Sequence, residues 1–324
     1  TRRSSDLNPP LLKPFELLTR AYGVPAYKTI DPTPLLALSF IFMFGMMFGD
    51  VGHGLLLVVS ALFMLVKAEK AALRQGGVLL LSVGISSIFF GFLFGSFFGV
   101  EDWLPTLWLK PVESIDRLFK VAIFYGIVMI SLSLIINIIN CIRVRDYLSA
   151  LFDKAGLLAM IVYWTGILVA SRLVSADQKE LPVIVPLIFF SGIMLIFIRE
   201  PVIHLIEGRK KLFDEGVFSG IMGGMIEILE IVLGFLANTV SFIRVAAFGL
   251  AHAGLFMAIF SLSDAVAGIM SPLVLIFGNI IIVLLEGLVV SIQAVRLEFY
   301  EFFSRFFRTS NVMYRPVSSD MPEN

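Results

Sequence analysis

Runs free of Asp, Glu, Lys and Arg recur along the whole chain, at 32–49, 51–66, 75–100, 121–142, 155–171, 181–198, 231–243, 245–263 and 265–285. A helix that crosses the roughly 30 Å hydrocarbon core of a bilayer needs about 20 predominantly apolar residues. Four stretches meet this as single helices, roughly 76–99, 118–141, 155–173 and 182–198. The 33 residues from Pro34 to Val66 are too many for one upright helix and few for two. Gly45, Gly49, Gly52 and Gly54 surround Asp50 and His53 in their middle, and the pattern predicts a break near 49–54. From about 217 to 262 no turn signal appears, and 46 helical residues would be about 69 Å long. Another 36 run from Pro272 to Phe307. Helices of this length must tilt, kink or protrude.

Loop charges orient the spans. Lys67, Lys70 and Arg74 mark one cytoplasmic loop, Arg143, Arg145 and Lys154 a second, and Arg199, Arg209, Lys210 and Lys211 a third. The alternate loops, Glu101–Asp116, Arg172–Glu180 and Ser263–Ser271, are acidic, mixed or poor in base, as the positive-inside rule expects. The rule also puts the tail with Arg305, Arg308 and Arg315 inside, and the basic amino-terminal stretch joins it if 34–66 crosses twice as a tight hairpin. The alternative is seven spans with the N-terminus outside. The prolines of the first 32 residues interrupt any signal-peptide core; that stretch reads as a linker with a short amphipathic helix near Phe15–Tyr22, in a piece cut from a longer protein beginning before Thr1.

The expectation is an all-α integral membrane protein of about eight transmembrane helices, the last two very long and tilted. It divides into a cytoplasmic linker (1–32), a six-helix bundle (33–215), two long helices (216–308) and a cytoplasmic tail (309–324). Composition agrees: 58% of the 324 residues are hydrophobic and 15% charged, against about 25% charged in soluble domains. The 25 basic and 25 acidic residues cancel, so no basic footprint suggests nucleic acid. Cys141, the single cysteine, excludes an internal disulfide framework.

Charged and polar groups inside apolar sequence concentrate in the last third: Glu227, Glu230, Asn238, Arg244 and His252, then Glu286, Gln293 and Arg296. An arginine at a helix centre costs about 2.5–3.5 kcal/mol on insertion scales and is a functional candidate by default. At 100° per residue Glu230 lies within about 40° of Arg244 and Glu227 within about 20°, so one stripe carries both carboxylates and the arginine. Glu286 and Gln293 share a face, with Arg296 one turn beyond. Sparse polar groups on two facing stripes suggest water-filled routes with relay groups. The plainer readings are an Arg–Glu pair that is structural, and an Arg296 that snorkels to the interface ahead of "LEFYEFFSRFF". Asp50 and His53 read first as a satisfied hairpin tip. Phosphate-binding loops, metal-spaced His/Cys clusters and nucleophile elbows are absent, and no cofactor is expected. "GFLFGSFFG" at 91–99 has the small-residue spacing of helix packing. No internal repeat suggests an inverted-repeat transporter.

Four stretches together resemble the membrane domain of the a/I subunit family of vacuolar- and archaeal-type rotary ATPases: "YGVPAYKTIDPTP", "FMFGMMFGDVGHG", "EILEIVLGFLANTVSFIRVAAFGLAHA" and "EGLVVSIQAVRLEFYEFFSRFF". The resemblance runs over nearly all of the chain and lacks the family's large cytoplasmic N-terminal domain. Asn238 stands where animal and fungal members tend to have histidine, which points to a prokaryotic cell membrane.

The resemblance implies a membrane stator, non-catalytic alone, against which a ring of proteolipid subunits rotates, with stalk subunits joined through the missing domain. Arg244 would face the ring carboxylates and Arg296 would partner it. A ring carboxylate reaching Arg244 is favoured as the ion and is reprotonated before returning to lipid. Glu230, Glu227 and Asn238 would line one approach, and Glu286, Gln293 and His252 the other. The competing expectation is a self-contained proton-coupled transporter or channel built from the same charges.

Overall fold

The computed structural model describes residues 9, 11–23, 26, 29–100, 103–174, 182–199, 201–202, 217–266, 268 and 270–307. Several charges used to orient the chain, Glu101, Glu180, Arg209, Lys210, Lys211, Arg308 and Arg315, lie outside them, as does the tail 309–324. Among the described residues every regular element is helical, and the strand-like feature is one isolated bridge between Phe97 and Val100.

The amphipathic helix α1 (Lys13–Tyr22) buries Phe15 and Thr19. The break in the first apolar stretch comes between α2 (Thr33–Met47) and α3 (Val51–Lys67), at 48–50, on the early edge of the expected region. Asp50 makes it: its carboxylate caps α3 by accepting from His53 N (2.9 Å), and it also accepts from Ser96 Oγ (2.6 Å), Phe98 N (3.0 Å) and Gly99 N (2.9 Å). Ser87 Oγ donates to the Phe48 carbonyl at 2.5 Å, and Val51 N to Ser96 O at 3.0 Å. Asp50 is therefore the satisfied turn residue that the sequence suggested.

Helix α4 (Ala71–Phe94) packs along both α2 and α3. At Gly91 the backbone of Val51 passes so close that any Cβ would overlap its nitrogen. The small-residue pattern at 91–99 thus has two uses. Gly91 admits the neighbouring backbone, whereas Gly95 ends α4 at φ +73° and Gly99 turns at φ +74°, conformations that glycine adopts without strain. This is why the helix stops at Phe94 and not near 99.

Helix α5 (Ile115–Val144) runs through the centre, and Asn140 Oδ1 on it accepts from Ile30 N at 2.9 Å, fixing the linker. The short α6 (Tyr147–Phe152) leads into α7 (Leu157–Val174), which packs on α8 (Ile184–Phe197). The first long path is α9 (Val217–Ser241) and α10 (Ile243–Ala265), joined at Phe242. The second is α11 (Met270–Ile281), a π turn (Ile282–Glu286), α12 (Gly287–Leu297), a second π turn (Glu298–Phe302) and a 3₁₀ turn (Phe303–Arg305).

Among the described residues, five helical stretches are long and apolar enough to cross a membrane: Ala71–Phe94, Ile115–Val144, Tyr147–Arg172, Phe218–Ala265 and Met270–Arg305. Three shorter apolar helices, α2, α3 and α8, have 15, 17 and 14 residues, below the length of a simple upright span. The chain is an all-α integral membrane protein.

Candidate functional site

The two long paths meet in a polar seam, and two contacts fix their register. At one end His252 Nδ1 and Glu286 Oε2 are 2.6 Å apart, at 4% and 6% exposure. At the other, the Asn238 amide, with its oxygen toward the guanidinium, accepts from Arg305 Nη2 at 2.8 Å and donates to Gly234 O at 3.3 Å. Arg305 Nη2 also reaches Gly234 O at 3.3 Å, and its guanidinium lies 4.3 Å from the centre of the Phe235 ring. Between these contacts stand the two arginines. Arg244 is six residues after Asn238 and eight before His252; Arg296 is ten after Glu286 and nine before Arg305.

The His252 end is larger than the sequence indicated. His53, carried by α3, comes to 5.7 Å ring to ring from His252, and its Nε2 pairs with Asn279 Oδ1 at 3.0 Å. Asn279 Nδ2 donates to Leu275 O, which leaves Oδ1 as acceptor and Nε2 of His53 as donor. Phe48, Phe98 and Phe256 enclose the two rings. His53 Nδ1, His252 Nε2 and Glu286 Oε1 are buried without a hydrogen-bond partner among the described residues. Each ring therefore keeps one nitrogen open to a proton. A cavity of about 540 Å³ reaches this cluster, lined by Gly49, Ser96, Val112, Glu113, His252 and Phe256 among others.

A second cavity, of about 460 Å³, is lined by Lys154, Glu230, Asn238, Ser304 and Arg305 among others. Here Glu230 pairs with Lys154 at 2.5 Å, while Glu227 pairs with Arg199. The two carboxylates thus face basic residues just before α7 and just after α8. Helical phase put them on the Arg244 stripe; the interruption at Phe242 separates the two halves of that path. Arg244 is half-buried with Nη1 lacking a partner among the described residues, Gln293 Oε1 likewise, and Arg296 is exposed.

The structure therefore joins His252 with Glu286, places Glu230 and Asn238 on one cavity, and sets Arg244 between the two groups. The sequence pattern puts His53 with Asp50 in a satisfied hairpin tip and Arg305 in a cytoplasmic tail, and it does not single out Asn279: His53 and Asn279 carry no periodic signal across 226 residues of separation.

The V-type ATPase 116kDa subunit family matches residues 10–111 and 207–319. Among curated proteins, the A-type ATP synthase subunit I of Aeropyrum pernix is 27% identical, over 95% of this chain and 50% of its own length. That of Pyrococcus horikoshii is 29% identical, over 96% and 47%. The vacuolar proton translocating ATPase 100 kDa subunit of Dictyostelium discoideum is 24% identical, over 94% and 51%. The chain spans about half the length of these relatives. With the match covering both the Asp50 turn and the two paths of the seam, the chain belongs to the V-type ATPase 116kDa subunit family.

Proposed function

We propose that the chain is the proton-translocating stator of a rotary ATPase membrane sector. Two offset half-channels open to opposite sides of the membrane against a ring of proteolipid subunits, and ring rotation couples proton movement to ATP hydrolysis or synthesis. The observation that carries this reading is the order along one helical path of Asn238, which lines one cavity, then Arg244, then His252, which lines another.

The chemistry follows from the groups on each side. A ring carboxylate facing Arg244 is favoured as the ion, so a proton carried from one side is released there. A return to lipid requires reprotonation, because a bare carboxylate in hydrocarbon is costly. Arg244 holds its own proton throughout and blocks passage straight from one cavity to the other. Glu230 and Glu227, paired with basic residues of the loops read as cytoplasmic, line the cytoplasmic approach. Glu286, His252 and His53 form a relay toward the cavity at Ser96 and Glu113, on the opposite side. In this reading α2, α3 and α8 complete eight spans, both termini are cytoplasmic, and the host membrane is a prokaryotic inner membrane. The remaining stalk subunits are reached through the half of the relatives that this chain does not span.

The test is ATP-driven acidification by vesicles carrying the whole complex with Arg244→Gln. Loss of pumping with assembly retained is expected. Normal pumping would make Arg244 a structural counter-charge and end this reading, and proton flux through the chain alone would make it a self-contained channel.

A further inference from the structure

Two buried carboxyls lie outside that pathway. Glu298 and Glu301 sit on the second π turn, two and five residues beyond Arg296, at 1% and 5% exposure. Both carboxyl oxygens of Glu298, and Oε2 of Glu301, are buried without a hydrogen-bond partner among the described residues.

Their surroundings differ in charge. Ser39 of α2 and Tyr125 of α5 lie beside Glu298. Both hydroxyls are engaged elsewhere: Ser39 Oγ donates to Leu35 O at 2.7 Å, and Tyr125 Oη to Ser39 O at 3.3 Å. Helix α2 carries no titratable side chain. Glu301 instead faces the charges of Arg244 on α10 and Arg296 on α12, with Ser241 of α9 alongside and Glu298 as its acidic neighbour.

An ionised carboxylate without donors in such a place is far costlier than the neutral acid, and two carboxylates this close do not both ionise readily. Glu301, facing two guanidinium groups, is where one negative charge is tolerated; Glu298, facing a phenol, an engaged hydroxyl and that charge, is where the proton stays. Behind Arg244 there is then one fixed anion, while its Nη1 remains open.

We propose that the Glu298–Glu301 pair holds a single negative charge, on Glu301, which positions Arg244 and Arg296 and sets the strength of the positive field that a passing ring carboxylate meets. The proposal rests on the stator reading above. Two cations without a counter-charge would leave the interface net positive even with a ring carboxylate in place, and would hold that carboxylate as an ion too long. With Glu301 ionised, one ring carboxylate neutralises the interface. Glu301 is thus a positioning residue, acting through the arginines.

The test compares Glu301→Gln, Glu301→Asp and Glu298→Gln in the whole complex by the pH profile of ATP-driven pumping. Removing the charge strengthens the positive field, so a ring carboxylate takes up its cytoplasmic proton only at lower pH. The alkaline limb of the profile is expected to move to lower pH by about half a unit or more in Glu301→Gln. It should return in Glu301→Asp and stay in place in Glu298→Gln. Infrared difference spectra of the complex should also show a carboxylic-acid C=O band that Glu298→Gln removes. An unmoved limb in Glu301→Gln, an equal shift in Glu298→Gln, or a band that survives Glu298→Gln would overturn the proposal. If Glu301→Gln does not assemble, the band decides alone. Should Arg244→Gln stop pumping while the Glu301→Gln limb stays put, the stator reading survives and this proposal does not.

Discussion

His252 Nδ1 lies 2.6 Å from Glu286 Oε2, and this contact registers two helical paths that run past each other with an arginine on each. Fourteen residues along the first path, about 21 Å at helical rise, Asn238 meets Arg305 of the second. The arginines are thus held within a frame whose two ends have different chemistry: two imidazoles and a carboxyl at one, an amide and a guanidinium at the other.

Substitution at the first end separates a relay from a mere contact. His252→Ala and Glu286→Gln are each expected to lower ATP-driven proton pumping by about 10²-fold, the scale on which a positioned proton-transfer group acts, with the complex still assembled. Each leaves the other partner accessible to cavity water, so assembly survives. Pumping within twofold of the unsubstituted complex in both would remove the relay.

Asp50 behaves differently although it is as deeply buried. Its carboxylate accepts four hydrogen bonds, and Asp50→Asn replaces an acceptor oxygen with a donor pointed at other donors. Loss of about 3 kcal/mol or more is expected. It would appear as a lower unfolding temperature in detergent and poor assembly. A variant that folds normally yet fails to pump would instead mark Asp50 as a proton carrier.

At the far end, Arg305→Lys keeps the charge and loses the fork that serves Asn238 and Gly234 while lying over Phe235. Lysine is a point donor on a flexible stem, so about 1–2 kcal/mol of local stability should be lost, with pumping reduced several-fold. Equal pumping by the lysine variant would show that charge alone matters at this position.

Much of this architecture was written in hydropathy. The apolar runs marked α5, α7 and α8 to within three residues and α4 to within five, and the glycines around Asp50 marked the break. The pairing of Glu286 with His252 was half legible, as two buried polar groups on facing paths. The rest depended on departures from α-helical phase. A residue five positions past Arg296 lies about 140° away round an α-helix, yet the π turn Glu298–Phe302 repeats nearer to every fifth residue and brings Glu301 back toward the arginines. Periodicity arguments assume one period, so Glu298 and Glu301 read as part of an interfacial segment. The place of His53 beside His252 was not legible, because its partners lie on helices remote in sequence.

The amino-terminal helix has a mechanical consequence for the same path. Tyr22 at the end of α1 contacts the rings of Phe299, Phe303 and Phe307 at 5.2, 5.3 and 5.0 Å between centroids. Burial, and secondarily the nearby Tyr300 phenol, raise the Tyr22 hydroxyl above the ordinary phenol value, so the ring packs as a neutral aromatic at physiological pH. Aromatic pairs contribute about 0.5–1.5 kcal/mol each beyond their buried area, so Tyr22→Ala should cost about 2–3 kcal/mol at this junction, whereas Tyr22→Phe should be close to neutral. Because α1 holds the end of the path that carries Arg296, Glu298 and Glu301, the loss should be local. Amide hydrogen exchange across 299–307 should quicken by about tenfold or more in Tyr22→Ala, with protection in α4 and α5 unchanged. Unaltered exchange at 299–307 would mean that the second π turn and the core beneath it hold the end of that path without α1.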